Sequence, residues 1–142
     1  MKKAFTMVEL VLVLGILGII FAVPFSGMAS YKRSSGLNYS ASLLESALFT
    51  AKQSAIMSGR STEIGCAAGT FTVKAQNVSS GVYETASVRS LFGSAIFMYP
   101  EIFRFSSSGF PVPGYTGTAV IGNGGIATRK VVLSAAGRIR TE

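Results

Sequence analysis

Residues 1–23 read MKKAFTMVELVLVLGILGIIFAV, and the apolar run continues to Ala29 with Glu9 as its only ionisable side chain after Lys3. At about 1.5 Å per residue, a helix over 5–29 is roughly 37 Å long, enough to cross a hydrocarbon core of about 30 Å. Lys2 and Lys3 come first. Cations ahead of an apolar run stay on the cytoplasmic side, so the rest of the chain faces outward. Three readings fit this pattern. One is a cleaved secretory signal peptide, with an apolar centre over 10–23 and a small-x-small site at Gly27-Met28-Ala29, which leaves Ser30 as the first residue. The second is an ordinary single-pass anchor. The third is an anchor with a processing site at its cytoplasmic edge, used again in assembly. Glu9 separates them, because a carboxylate in hydrocarbon is costly and marks function by default. A cut between Ala4 and Phe5 creates an α-amino cation four residues before Glu9. Such a cation, on the same or a neighbouring subunit, gives the carboxylate a partner.

These residues resemble a known family. The stretch KKAFTMVELVLVLGILGII is similar to the N-terminus of type IV pilins and of the pseudopilins of type II secretion. The signature is a short basic leader, a small residue, then Phe-Thr, two hydrophobic residues, Glu and a long apolar helix. The resemblance implies that a prepilin peptidase cuts between Ala4 and Phe5 and that Phe5 is N-methylated. It also implies that Glu9 pairs with the terminal amine of an adjacent subunit during filament assembly. The family usually has Gly where this chain has Ala4, which is small enough for cleavage to survive.

Pro24 interrupts the apolar helix and is expected to kink it. Beyond it, Leu37, Ala41, Leu44, Leu48, Ala51 and Ala55 recur at alternating spacings of four and three, the stripe of an amphipathic helix. Ser40, Ser42, Glu45, Lys52 and Gln53 fall largely off that stripe. Gly59 is placed to cap the helix after Met57-Ser58. The two halves are expected to form one long helix. From Arg60 onward, β-branched and aromatic stretches alternate with Gly, Ser, Asn and Pro. Strands are predicted over 62–66, 70–75, 83–88, 103–106, 118–121, 130–134 and 138–141. The expected fold is α+β: a long N-terminal helix, transmembrane in its first half and amphipathic in its second, packed on a small antiparallel sheet. The organisation follows as leader 1–4, membrane and assembly helix 5–29, amphipathic helix 30–58 and β-rich head 59–142.

Composition excludes most catalytic chemistry. The 142 residues include no His, no Asp and no Trp, and the acids are six scattered glutamates. A Ser-His-Asp or Cys-His arrangement is impossible. Zinc needs His or several Cys, and Cys66 is alone. Hard cations need clustered carboxylates. The chain is therefore read as a non-enzyme without cofactor or metal. Cys66 is read as a buried thiol. The run from Gly122 to Ala127 formally fits the G-x-G-x-x-G/A fingerprint, but the following Arg129-Lys130-Val131-Val132-Leu133 reads as strand, so a hairpin turn is the better account. Pro111 and Pro113 stiffen a loop over 110–115.

The net charge is +7, which favours acidic partners. In the last strand Arg138 and Arg140 flank Ile139, so both guanidiniums project from one face while Ile139 turns inward. Arg129 and Lys130 precede them on the adjoining strand. Such a pair suits two phosphates of one backbone. The order of residues 103–109 and then 130–140 is similar to the GspH/FimT group of minor pseudopilins and minor pilins. Gly137-Arg138-Ile139-Arg140 resembles the DNA-binding tail of FimT-type minor pilins. The resemblance implies a minor subunit of a type IV pilus that binds double-stranded DNA non-specifically through Arg138 and Arg140, helped by Arg129 or Lys130. Its alternative is a GspH-type pseudopilin of type II secretion, in which a basic last strand is a solvated face or a subunit contact. The implied partners are other pilin or pseudopilin subunits through the N-terminal helix, the prepilin peptidase and inner-membrane lipid. The implied location is the bacterial inner membrane, head in the periplasm, and then the filament.

Overall fold

The 4-3 stripe of the amphipathic segment decides the core. In the computed structural model, which describes residues 6–22, 28–124 and 128–142, the helices are α1 (Met7–Ala22) and α2 (Met28–Ser58). All six stripe residues are at most 2% exposed. Gly59 follows α2 with φ +64°, the left-handed cap that glycine adopts without steric cost. Ser34-Ser35-Gly36 leaves α2 unbroken. Ser40 departs from expectation. It is fully buried, and its hydroxyl accepts the Phe92 N–H at 3.1 Å, which meets the polar group's need inside the core.

The chain divides into two compact units, Met1–Arg33 and Ser34–Glu142. The buried apolar core runs from Leu37 to Leu133 and forms one cluster. Ser34–Glu142 therefore closes a hydrophobic core of its own, the property expected of a unit that folds alone.

Eight strands follow α2: β1 (Thr62–Ala67), β2 (Thr70–Gln76), β3 (Tyr83–Ser90), β4 (Ile96–Phe97), β5 (Glu101–Phe105), β6 (Gly117–Gly122), β7 (Thr128–Leu133) and β8 (Ile139–Thr141). Each of the seven predicted strands has a counterpart, and β4 is additional. The single sheet expected from sequence is instead two antiparallel four-stranded sheets, ordered β3-β2-β1-β5 and β4-β6-β7-β8. The loop between β5 and β6 divides them. Val112 N–H donates to Arg104 C=O at 2.9 Å, Arg104 N–H donates to Tyr115 C=O at 3.3 Å, and Phe105 bridges Pro111. The loop thus occupies the edge of β5 that β6 would need. Pro111 is buried there. Gly122 pairs with Thr128 across an antiparallel hairpin, in keeping with the rejection of a dinucleotide site.

Both sheets put one face on α2. Ile64, Cys66 and Phe71 come from the first sheet, and Ala119, Ile121, Val131 and Leu133 from the second. Polar ties fix the helix along its length. The Thr62 hydroxyl donates to Ala51 C=O at 3.0 Å, and the Lys52 ammonium donates to Gly137 C=O at 3.1 Å. The Thr141 hydroxyl donates to Glu45 at 2.7 Å.

Within the apolar N-terminal segment, α1 spans 16 residues or about 24 Å. Among the described residues, no helix is long and apolar enough to cross a membrane. The kink expected at Pro24 lies outside the described residues.

Candidate functional site

Two regions singled out by the sequence can be placed, each within its own unit. At the start of α1, Thr6 and Glu9 form a reciprocal cap. Thr6 N–H and the Thr6 hydroxyl each donate to Glu9 Oε2 at 3.0 Å, and Glu9 N–H donates to Thr6 Oγ1 at 3.4 Å. This is the Thr-x-x-Glu capping box. It satisfies N–H groups that every helix start leaves without intrahelical partners. The sequence reading did not name this cap, although the Thr-x-x-Glu spacing is the signal that could have found it. Ala4 and Phe5 lie outside the described residues.

In the head, β7 and β8 carry the basic end. Val132 pairs with Arg140 and Leu133 with Ile139. Side chains of directly paired residues share a face, so Arg140 lies with Val132 and Lys130 on the outer face. Ile139 packs against the core, as expected. Arg138 precedes β8 rather than belonging to it. It pairs with Ser134 through Ser134 N–H to Arg138 C=O at 3.0 Å and through Arg138 N–H to Ser134 Oγ at 3.2 Å. Lys130, Arg138 and Arg140 are exposed together on one face.

Two features of this face differ from the sequence reading. Arg129 is on the opposite face of β7, where it donates through Nε to Asn38 Oδ1 at 2.6 Å and through Nη1 to Thr128 C=O at 3.2 Å. Strand alternation turns it towards α2 and away from its neighbour Lys130. Glu142 enters the basic face. Its backbone pairs with Lys130 at 2.8 and 2.9 Å, and its carboxylate forms an ion pair with Arg140. The face therefore carries three cations and one carboxylate.

A further polar cluster, absent from the sequence reading, occupies the outer face of the first sheet. Glu63 on β1 pairs with Lys74 on β2 and Arg104 on β5. Its carboxylate accepts Arg104 Nη2 at 2.6 Å and Nε at 3.2 Å, and it takes the Lys74 ammonium at 3.4 Å. Glu63 is only 6% exposed. The Arg104 guanidinium lies 3.9 Å from the Tyr115 ring centre and 4.8 Å from that of Tyr83, a cation–π arrangement. The Glu63 hydrogen bond raises the Arg104 pKa above its ordinary value, with the tyrosines adding to the effect. The residues meet only through pairing across three strands, so no local spacing announces them.

Cys66 is buried. Burial, and secondarily the Glu101 carboxylate, push its thiol up to about 12, so it is a neutral packing group. Among the described residues no cluster of acidic, Cys or His side chains could hold a metal. An open groove of 610 Å³ beside β8 is lined by Glu45, Phe49, Lys52, Gly137 and Ile139, among others. Its two charged groups are already engaged by Thr141 and the Gly137 carbonyl.

No protein-family model matches the sequence, and no curated protein matches it either. Solved structures do share the fold. The type IV minor pilin FimU of Pseudomonas aeruginosa superposes with a TM-score of 0.60 at 21% identity, over 79% of this chain and 92% of that one. The minor pseudopilin EpsH of the Vibrio cholerae type II secretion system superposes with a TM-score of 0.63 at 15% identity, over 76% of this chain and 94% of that one. The helix-on-sheets architecture of this chain is the one that these two proteins share.

Proposed function

We propose that the chain is a minor pilin-like structural subunit of a filament assembled from the inner membrane, a type IV pilus, with the type II secretion pseudopilus as the alternative assembly. One coincidence carries the reading. The prepilin-like stretch KKAFTMVEL precedes a head whose fold is shared with a minor pilin and a minor pseudopilin. Neither feature follows from the other. In this reading 5–29 is a single membrane pass with the head in the periplasm. The peptidase cuts between Ala4 and Phe5, and Phe5 is N-methylated. The chain is a substrate of an enzyme rather than one itself. Glu9 takes the new amine of an adjacent subunit.

The test is co-expression with a prepilin peptidase, followed by N-terminal sequencing and intact mass. The expected product starts at methylated Phe5. A mature chain that starts at Ser30, or one left uncut, overturns the reading.

A second reading concerns the same head. The shared exposed face of Lys130, Arg138 and Arg140 favours non-specific binding of double-stranded DNA through phosphate contacts, which is salt-sensitive. Glu142 opposes it by occupying Arg140. Binding of the head Ser34–Glu142 to duplex DNA at several salt concentrations tests this. The variant Arg138→Ala/Arg140→Ala is expected to lower the salt slope by about two, and Glu142→Gln to tighten binding. Absence of binding at low salt, or equal binding by all three proteins, removes the DNA role.

A further inference from the structure

The strand order leaves β3 with a neighbour on one side only. Among the described residues its backbone makes no hydrogen bonds beyond the β2 ladder, and seven of its eight residues are exposed. The other edges are shorter or covered: β5 by its loop, while β4 has two residues and β8 three. An open edge is a template for another strand, and proteins blunt it with Pro, with charges, above all Lys, or with a bulge. The β3 sequence, YETASVRS, has no Pro and no Lys. Its two charges are Glu84 and Arg89.

Residues five apart on a regular strand point to opposite faces. A bulge between Val73 and Lys74 changes this here. Ser87 pairs with Val73 and Thr85 with Lys74, so Ala86 has no partner on β2. The extra residue restores the alternation. Glu84 pairs with Ala75 and Arg89 with Phe71, and Phe71 is a core residue. Both charges therefore lie on the α2 side of the sheet. Arg89 has no ion pair among the described residues. Glu84 takes only the Asn77 amide, at 2.7 Å on Oε1.

We propose that β3 pairs antiparallel with β3 of a second copy of this chain, about a two-fold axis between Ala86 and Ser87. In that register Glu84 lies opposite Arg89 of the second copy and Arg89 opposite Glu84 of the second copy. Thr85 then faces Val88, and Tyr83 faces Ser90. The axis is perpendicular to the sheet, so the paired charges stay on one face, and opposite charges directly across a strand pair stabilise it. Centring the axis on either charged residue would instead oppose like charges. The register that joins all eight residues is thus also the one that charge favours. Such an isologous contact closes on itself. It is a form of the subunit outside a helical filament, and it does not depend on the filament reading.

Sedimentation of the head Ser34–Glu142 over a concentration series, at low and high salt, tests the proposal. A monomer–dimer equilibrium weakened by salt is expected. Glu84→Arg and Arg89→Glu each turn two attractive pairs into two repulsive ones and should weaken dimerisation about tenfold or more. The double swap Glu84→Arg/Arg89→Glu should restore it. Both residues are exposed, and unchanged thermal unfolding of the variants checks that the fold survives. A head that stays monomeric at millimolar concentration, a dimer that tolerates the single reversals, or a swap that fails to restore it overturns the proposal.

Discussion

Removing Glu63 should cost the head far more than removing Lys74. Glu63 is 6% exposed and is the shared acceptor for Arg104 at 2.6 and 3.2 Å and Lys74 at 3.4 Å. Hydrogen bonds to charged groups contribute about 1.5–3 kcal/mol each, and breaking a fully buried pair costs about 3–5 kcal/mol. The Arg104 and Lys74 side chains retain 24% and 34% exposure, and the tyrosine rings still hold Arg104. Both facts place the loss on Glu63→Ala nearer 2–3 kcal/mol. For a head of this size, at about 4 °C per kcal/mol, the midpoint falls by about 8–12 °C. Lys74→Ala loses a long, half-exposed contact and should cost less than about 1 kcal/mol. The assay is thermal and urea unfolding of the head and the variants Glu63→Ala, Lys74→Ala and Arg104→Ala. If Lys74→Ala equals Glu63→Ala, or Glu63→Ala costs under about 0.5 kcal/mol, the cluster does not anchor the sheet as argued.

Other consequences follow from single positions. Cys66 should resist alkylation at pH 8 in the folded head and react only on unfolding. Between about pH 9 and 12 the unfolded chain loses the thiol proton while the folded one keeps it, so stability should fall by about 1.4 kcal/mol per pH unit. Cys66→Ala should remove that part of the slope; urea titrations at several pH values compare the two. Gly109 has φ +78° and an added Cβ would lie 2.6 Å from Ile56, so Gly109→Ala should destabilise the head by about 1–2 kcal/mol in urea unfolding. Gly59→Ala, with nothing within 4 Å of its Cβ, should cost less. Glu9→Gln should insert into membranes normally but enter filaments at least about tenfold less, as loss of a charge-assisted bond requires. Normal incorporation in a pull-down of assembled filaments would rule out the amine pairing.

The sequence by itself determined the features that rest on local periodicity. The 4-3 stripe from Leu37 to Ala55 is a property of one helix. Every stripe residue is buried because a face that apolar has to be covered. The Gly59 cap, the strand segments and the inward turn of Ile139 are likewise set by nearest neighbours. The Thr6–Glu9 cap is equally local, a three-residue spacing that the sequence reading passed over. Tertiary structure decided what depends on pairing between distant segments. One expected sheet became two because the loop over 106–115 takes the β5 edge, and no local pattern encodes which edge a loop will occupy. Ser40 looked polar and off the stripe, yet Phe92 N–H, 52 positions away, makes its burial affordable. The basic end was legible as residues but not as a face. Strand register turned Arg129 to Asn38 and brought Glu142 beside Arg140. The Glu63 cluster and the shared face of Glu84 and Arg89 were invisible for the same reason. One depends on three strands in register and the other on a bulge, and both are consequences of which strand lies beside which.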